Sequence, residues 1–453
     1  MNRFRNGDRI VFTEVLAIFS SQLLEHFEKQ CPEAVMVRGV LENSLPPEMV
    51  DQVFEDNRQR SYTRQLLFST IVNILGAIVF RTRTSIRTSC KLFKGELNSS
   101  LRAVYDKINH TETGVCAALV AKAWQRMAAV IDTLGTARAP LFPGYQTRIV
   151  DGNHPAATEH RIKPLRKLAG GALPGVGVVV LDWERELFHS VELSEDAYTQ
   201  ERKLALEVIG RIEAGQIWIG DRNFCTSAIL WQIENVGARF LVRRHKTNVR
   251  FENVGREQLV GQSATGPVHE QQVLIHDDHG NRMKARLVRV QLASPTRDGS
   301  ECLELLTNLP KRFGAVRISE AYHRRWEIET GFAHLEKMFD SEIEELGHPR
   351  AALFAFCLSL IAWNSVSVVK AAMRKVHGRE KVDADVSMYY LTLLIVQGSQ
   401  AIRLSEATID WAGKFTMMTP RQLAKYLCRL CGHQDLESLQ KNKRGPKKPA
   451  PNR

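Results

Sequence analysis

The chain has 453 residues, of which 44% are hydrophobic, and this length allows two or three globular domains. Its 62 Lys and Arg residues outnumber its 50 Asp and Glu residues, and the net charge of +12 favours a polyanionic partner, nucleic acid before an anionic membrane surface. The start MNRFRNGDRIVF lacks an apolar core of signal-peptide length, and the eight cysteines show no disulfide framework. We therefore expect a protein that is not secreted and resides in a reducing cytoplasm.

Two apolar runs, residues 66–80 and 351–369, must be considered as membrane spans. The first is too short to cross a bilayer and contains Asn73. The second is close to spanning length but is interrupted by four polar residues, Ser359, Asn364, Ser365 and Ser367. We interpret both runs as buried helices of a large core and expect no membrane partner.

Residues 1–140 predict an all-α domain. Segments such as TGVCAALVAKAWQRMAAVIDTL place apolar residues at spacings of three and four, without the alternation of a strand. Within this domain SLRAVYDKIN suits a helix-turn-helix and a plain helical bundle equally well. The pattern changes at the turn-rich stretch APLFPGYQ, near residue 140.

Residues 141–242 predict a mixed α/β layer with helices packed on a central sheet. TRIVDGNH is a short strand that ends at Asp151, and VGVVVLDWERELFHSVEL is a hairpin that turns around Asp182. ERKLALEVIGRI is an amphipathic helix, and QIWIGDRNF is a strand that ends at Asp221. TSAILWQIENVGARFLVRRH then adds a helix and another strand.

Residues 243–315 predict a β-rich insertion, with strands at QQVLIHDD, MKARLVRVQL and ECLELLTNL. Helices resume near residue 317 and continue to residue 436. The basic, proline-rich tail, residues 437–453, is predicted to be disordered and able to lie along phosphates.

The segment AYHRRWEIETGFAHLEKMFD, residues 321–340, predicts one helix whose side chains are sorted by face, at about 100° per residue. Four apolar residues share an arc of roughly 60° that anchors the helix to a core: Ile328, Phe332, Leu335 and Phe339. Four polar residues share the adjoining arc: Tyr322, Arg325, Glu329 and Glu336. Glu327 points the opposite way. Glu329 is thus the glutamate at the margin of the core, where a carboxylate is costly unless a positive charge meets it.

Asp151 and Asp221 are candidates to join Glu329, because each ends an apolar strand, where open α/β sheets place ligand-binding groups. Three converging carboxylates repel one another unless cations compensate, and hard oxygen ligands with open positions suit Mg²⁺. Two such ions about 4 Å apart would clamp a phosphodiester for in-line attack, with Arg325 and Tyr322 holding the phosphate backbone. The plainer alternatives are a turn or helix cap for each aspartate and a solvated or ion-paired Glu329.

The same segment resembles the signature of DDE transposases from bacterial insertion sequences, which is Tyr, two residues, Arg, three residues, Glu, six residues, Lys. Tyr322, Arg325 and Glu329 fit this spacing. The stretches IVDGNH and IGDRNF resemble the segments that carry the family's two aspartates. The resemblance covers about residues 145–370 of the chain.

The resemblance implies an α/β fold with a ribonuclease-H-like mixed sheet flanked by helices. The first part of this core would be residues 141–242 and the last part residues 316–375, with the β-rich insertion before the last catalytic helix. A C-terminal helical region would follow at residues 376–436. The all-α N-terminal domain would recognise the DNA ends of the mobile element.

The activity that the resemblance implies is metal-dependent DNA cleavage and strand transfer in cut-and-paste transposition. Asp151, Asp221 and Glu329 would be both the catalytic residues and the ligands of two Mg²⁺ ions, for which Mn²⁺ may substitute. The partners would be double-stranded DNA at the element ends and at the target, together with a second copy of the chain in a homodimer on DNA. The location would be the nucleoid of a bacterial cytoplasm.

One position departs from the signature, since Glu336 stands where the lysine is expected and Lys337 follows it. We assign Lys337 to DNA contact in its place, together with Tyr322 and Arg325. Arg222, directly after Asp221, either contacts phosphate or braces the carboxylate.

Two alternatives remain open from the sequence. One is a ribonuclease-H-like nuclease that cleaves DNA without strand transfer. The other is a non-catalytic DNA-binding protein derived from a transposase, and the presence of all three carboxylates opposes it.

Overall fold

The computed structural model describes most of the chain: residues 20–61, 65–92, 97, 99–155, 175–277, 279–295, 299–343, 346–403 and 409–441. These residues form two compact units. The first combines Pro47–Ala128 with Ala137–Asn364, and the second combines Met1–Pro46, Ala129–Thr136 and Ser365–Arg453 in their described parts. The predicted tail lies outside the described residues from 442 onward, and the domain boundaries drawn from the sequence stay predictions.

Helices make up the described chain before residue 135 and after residue 348, as the sequence predicts. Residues 20–30 are helical. The longer helices that follow are Pro32–Ser44, Pro47–Asn57, Phe68–Val79, Ile86–Leu92, Leu101–His110, Thr113–Leu134, Glu201–Ile209, Ser227–Asn235, Ala315–His323, Trp326–Met338, Pro349–His377, Arg379–Asp385, Met388–Arg403, Trp411–Phe415 and Pro420–Cys431.

The strands of the first unit form one nine-stranded mixed sheet, which confirms the predicted α/β class. The strands are β1 (Gln146–Asn153), β2 (Val176–Asp182), β3 (Leu187–Ser194), β4 (Gln216–Gly220), β5 (Arg239–Arg243), β6 (Arg250–Ser263), β7 (Gly266–His276), β8 (Arg282–Gln291) and β9 (Cys302–Thr307). Their order across the sheet is β3-β2-β1-β4-β5-β9-β8-β7-β6.

Strand β1 lies between an antiparallel neighbour, β2, and a parallel neighbour, β4. All seven residues of β2 are buried, as expected for a valine-rich strand covered on both faces. In the parallel pair Val150 lies opposite Gly220, so the residues that follow them, Asp151 and Asp221, emerge at the same edge of the sheet. The sheet therefore places two carboxylates side by side.

The strands of the predicted insertion extend the main sheet. Strand β9 pairs antiparallel with β5, and β8, β7 and β6 follow outward in a meander. The predicted strands at β7, β8 and β9 are confirmed. Strand β6 was not predicted, because most of its side chains are exposed and its sequence lacks a buried apolar face.

The helix predicted over residues 321–340 is in fact two helices, Ala315–His323 and Trp326–Met338, and this corrects the prediction of one continuous helix. At the junction the Arg325 N–H donates to the Tyr322 carbonyl at 3.0 Å, and the Glu327 N–H donates to the Arg324 carbonyl at 3.0 Å. Hydrogen bonds between residues three apart, as in a 3₁₀-helix, make a tighter turn than those of an α-helix. Phe339, predicted to anchor the helix, is buried but lies one residue beyond its end.

The second helix of this pair packs on the edge strand β3. The rings of Phe332 and Phe188 stack with their centroids 5.9 Å apart. A Cβ at Gly331 would press against the Phe188 ring, so glycine lets the helix approach the strand closely. This packing fixes the height of Glu329, one half-turn before Gly331, above the sheet.

Two described helices, Thr113–Leu134 and Pro349–His377, are long and apolar enough to cross a membrane by length and composition alone. In the second, 94% of the apolar window is buried inside the protein. Asn364 in that helix accepts the Phe188 N–H at 2.7 Å and donates to the Phe188 carbonyl at 2.8 Å. Asn364, one of the polar residues that interrupt the apolar run, thus hydrogen-bonds to the backbone of β3.

The second unit is helical in its described part and has its own buried ion cluster. Glu28 accepts a hydrogen bond from the Tyr426 hydroxyl at 2.5 Å and from the Arg429 guanidinium at 2.8 Å. The Lys414 ammonium lies 3.4 Å from the same carboxylate. The Phe415 ring fits against Gly39, where a side chain would overlap it. These contacts join the first and last parts of the chain within this unit.

Candidate active site

Asp151 and Asp221 lie at the same edge of the sheet, at the ends of the adjacent parallel strands β1 and β4. Asp151 directly follows Val150 inside β1, which runs two residues farther than predicted. Asp221 directly follows β4 and caps a short 3₁₀ turn, because its Oδ1 accepts the Asn223 N–H at 2.7 Å. The cap interpretation of Asp221 is therefore correct as local structure, and it leaves the second carboxylate oxygen for another contact.

Arg325 joins Asp151 to Glu329. Its Nη1 atom lies 3.0 Å from Oδ2 of Asp151 and 2.6 Å from Oε1 of Glu329. Since both oxygens contact one nitrogen, they can be no farther apart than the sum of these two distances. The Arg325 and Asp151 side chains are largely buried, whereas 41% of the Glu329 side chain is exposed. The structure thus brings two of the three predicted carboxylates to one positive charge.

The buried ring of Tyr322 lies next to the Arg325 guanidinium. Only 4% of Tyr322 is exposed, and its ring centroid lies 5.9 Å from the centre of the Arg325 guanidinium. Burial raises the pKa of Tyr322 to about 12, although Arg325 lowers it. In this structure Tyr322 does not face solvent, and its predicted contact with DNA stays a prediction.

The carboxylates influence one another through their charges. Burial raises the pKa of Asp151 to about 7; Arg325 lowers it, while Asp221 and Glu329 raise it. Burial also raises the pKa of Asp221, against the Asn223 N–H, Arg325 and Arg222, which lower it, and with Glu201, which raises it. Asp221 thus belongs to the same electrostatic cluster as Asp151, although it makes no direct ion pair with Arg325 in the structure.

The chemistry of this cluster fits a divalent metal. Over the parts of the chain that the structure describes, no three His, Cys, Asp or Glu side chains stand ready to hold a metal ion. At this site one nitrogen of Arg325 lies between the Asp151 and Glu329 carboxylates. Carboxylate oxygens are the ligands that Mg²⁺ prefers, so the donor atoms of Asp151, Asp221 and Glu329 are of a type that suits such an ion.

Metal binding at this site should depend on pH near neutrality. A metal ligand must be ionised, and with a pKa of about 7 Asp151 gains a proton as the pH falls below 7. We expect the affinity of the purified chain for Mn²⁺ to be constant above pH 7.5 and to fall about tenfold per pH unit below 7. Titration calorimetry between pH 6 and 8 measures this. Carboxylates with ordinary pKa values would give an affinity that stays constant down to pH 6, and that result would contradict the raised pKa of Asp151.

The other predicted contact residues, Arg222 and Lys337, lie on the surface. Arg222, Glu336 and Lys337 are exposed, and the charge of Arg222 lowers the pKa of Asp221. The carbonyl of Glu336, in place of the signature lysine, accepts a hydrogen bond from Arg81 at 3.3 Å. The basic run at residues 243–246 follows β5, the parallel neighbour of β4.

Sequence reasoning missed two residues beside the two aspartates, Glu201 and Asn223. Glu201 begins the helix Glu201–Ile209, and its carboxylate contacts His154 and Asn223. An acidic residue in the first turn of a helix is usually explained by the helix dipole, so its spacing alone gave no signal. His154 lies directly after β1, and its Nε2 atom is 3.5 Å from Oε1 of Glu201.

Three comparisons with known proteins bear on the family of this chain. Residues 143–365 match a protein-family model described as "Transposase DDE domain". No match is found among curated proteins. Among solved structures, the chain is similar to one titled "Cryo-EM structure of piggyBac transposase synaptic complex with hairpin DNA", at 10% sequence identity over 84% of each chain. The TM-score of that match is 0.36, which does not establish a common fold. The segment that carries Asp151, Asp221 and Glu329 is thus similar to the transposase DDE domain family, which supports a DDE transposase.

Proposed function

We propose that the chain catalyses DNA cleavage and strand transfer in cut-and-paste transposition of a bacterial insertion sequence. The observation that carries the proposal is the meeting of Asp151 and Glu329 at one nitrogen of Arg325, with Asp221 beside Asp151 on the adjacent parallel strand. A strand end and a helix distant in sequence converge there, inside the segment that matches the transposase family. The mixed sheet with β1 between antiparallel and parallel neighbours supports a ribonuclease-H-like core.

In the first step a water molecule would attack the phosphodiester at an element end, and the bond to the 3′ oxygen would break. The freed 3′ hydroxyl would then attack a phosphorus of a second strand, either the complementary one or the target. The bond from that phosphorus to its own 3′ oxygen would break, so one phosphodiester replaces another and the displaced 3′ oxygen leaves as a hydroxyl. Divalent metal, Mg²⁺ or Mn²⁺, held by Asp151, Asp221 and Glu329, would supply an activated water and a stabilised leaving oxygen.

The chain's own residues would bind and orient the DNA. The planar guanidinium of Arg325 matches the geometry of a phosphate, and burial of Tyr322 beneath it limits the directions in which it can point. Arg222, which directly follows Asp221, and Lys337 are exposed and suit contacts to the phosphate backbone, which position DNA without reading its sequence. The net charge of +12 favours the same partner.

Two ends must be held together for transposition, so we propose that two copies of the chain assemble on DNA. The location proposed for this reaction is the bacterial nucleoid, and no membrane is involved. These proposals follow from the reaction, and gel filtration with and without end DNA tests the dimer.

The function is tested with purified protein and the DNA that flanks its coding sequence, which would contain the ends. With Mg²⁺ in excess over protein and DNA, we expect cleavage at both ends and joining of pre-cleaved ends to a second DNA. Excess EDTA should abolish cleavage and leave DNA binding in a mobility-shift assay intact. Cleavage without any joined product would support the nuclease alternative. Binding without cleavage in Mg²⁺ or Mn²⁺ would support the non-catalytic one.

A further inference from the structure

Glu201 connects the two polypeptide segments that carry the aspartates. Its Oε2 atom accepts a hydrogen bond from the Asn223 side chain at 2.9 Å, and its Oε1 atom lies 3.5 Å from Nε2 of His154. Asn223 follows Asp221 by two residues, and His154 follows Asp151 by three. One carboxylate therefore spans from the end of β1 to the turn after β4.

In both segments that Glu201 contacts, a backbone N–H donates to the nearby aspartate. The Asn223 N–H donates to Asp221 at 2.7 Å while the Asn223 side chain donates to Glu201. On the other strand the Gly152 N–H donates to Oδ1 of Asp151 at 3.0 Å. The Glu201 carboxylate lies directly on Gly152, and a Cβ at that position would overlap it. A glycine next to Asp151 thus makes room for Glu201.

A role limited to helix stability does not explain these contacts. An acidic side chain in the first turn stabilises a helix by about 0.3–1 kcal/mol and needs neither Asn223 nor a side-chain-free position on another strand. His154, Glu201 and Asn223 also line a polar pocket of about 430 Å³. Because this side of the network faces the pocket, shortening Glu201 opens no apolar core.

We propose that Glu201 is a positioning residue for the carboxylate cluster. Through Asn223 and the backbone at Gly152 it holds the segments that carry Asp221 and Asp151 next to each other, so that both carboxylates can serve a metal. Groups that orient metal ligands without touching the metal typically change metal affinity or activity by about 10–100-fold when they are removed. The proposal rests on the proposed function only where DNA cleavage is the readout.

The test uses the full chain and two independent ways of removing the bridge. Glu201→Ala deletes the carboxylate, whereas Gly152→Ala leaves it in place but displaces it with a methyl group. Mn²⁺ affinity is measured by electron paramagnetic resonance at pH 8, with thermal unfolding and end cleavage in parallel. We expect each variant to bind Mn²⁺ about 10–100-fold more weakly than the wild type. The double variant should be no weaker than Glu201→Ala, because both changes act on one bridge.

Two further variants separate the bridge from charge and from the helix. Glu201→Gln keeps an oxygen that can accept from Asn223, and it should restore Mn²⁺ affinity to within about threefold of the wild type. Glu207→Ala, an exposed acid on the same helix, should leave affinity unchanged. An unchanged affinity in Glu201→Ala, additive effects in the double variant, or no recovery in Glu201→Gln would each overturn the positioning role.

Failure of this inference is distinguishable from failure of the proposed function. If the wild type cleaves end DNA and Glu201→Ala binds Mn²⁺ normally, the positioning role is wrong and the transposase assignment stands. If the Mn²⁺ results agree with the bridge and no DNA is cleaved, the positioning role stands and the transposase assignment is wrong.

Discussion

Replacing Asp151 by asparagine is expected to slow end cleavage by at least about a thousandfold, or roughly 4 kcal/mol of activation free energy. The carboxamide has nearly the same shape but no negative charge, so it cannot compensate a divalent cation. Affinity for end DNA should change less than about twofold, since DNA binding rests on positive charge elsewhere in the chain. Single-turnover cleavage of labelled end DNA, with a mobility-shift assay in parallel, measures both quantities.

The same result is expected for Asp221→Asn and Glu329→Gln, and the neighbouring Glu327→Gln is the matched control. Glu327 pairs with Arg138 at 2.5 Å and Arg324 at 3.5 Å, away from the carboxylate cluster. Its substitution should change cleavage less than about threefold, because partly exposed ion pairs contribute little. Full cleavage activity in any of the three cluster variants would remove that residue from the catalytic set.

Arg325→Ala is expected to have opposite effects on metal binding and on catalysis. In the free protein the guanidinium neutralises Asp151 and Glu329, so a metal must displace it to reach both carboxylates. Removing this competing charge should raise the affinity of the DNA-free chain for Mn²⁺ by at least about tenfold. Cleavage should still fall by about a hundredfold or more, because the contact that we propose between Arg325 and the phosphate would be lost.

Arg324→Ala is the control for Arg325→Ala. Arg324 is exposed and pairs with Glu327 at 3.5 Å, so its removal should leave both Mn²⁺ affinity and cleavage close to wild type. Titration calorimetry without DNA, followed by the cleavage assay, compares the two variants. A weaker Mn²⁺ affinity in Arg325→Ala would mean that the guanidinium supports the metal ligands instead of competing with the metal.

The sequence predicted those elements whose pattern is local. The hairpin of β2 and β3, the strand before Asp221 and the helix from Glu201 follow directly from alternation or from helical spacing, and all three are confirmed. The edge strand β6 could not be predicted in this way, because a mostly exposed strand carries no apolar alternation. The break between the two helices at Arg324 and Arg325 could not be predicted either. Hydrogen bonds between residues three apart replace those between residues four apart at this junction, and no particular residue type in the sequence marks that change.

The candidate site could likewise be predicted from the sequence only in part. Three carboxylates at strand ends and on a helix could be chosen from the sequence, because each lies at the border of an apolar segment. That one nitrogen of Arg325 contacts both Asp151 and Glu329 depends on distances that sequence spacing does not specify. The contact of Glu201 with Gly152 arises between elements that are far apart in sequence, and only the folded sheet brings them together.

Strand β6 also bears on how the protein avoids aggregation through the exposed edge of its sheet. It is the outermost strand of the long arm of the sheet, and its pairing with β7 shifts register twice, between Val254 and Gln258 and between Leu259 and Gly261. Irregular margins of this kind offer a poor template for a foreign strand. Strand β7 pairs with β8 without any such shift. A truncation that removed β6 would therefore leave a regular ladder uncovered and make the protein prone to stacking into aggregates.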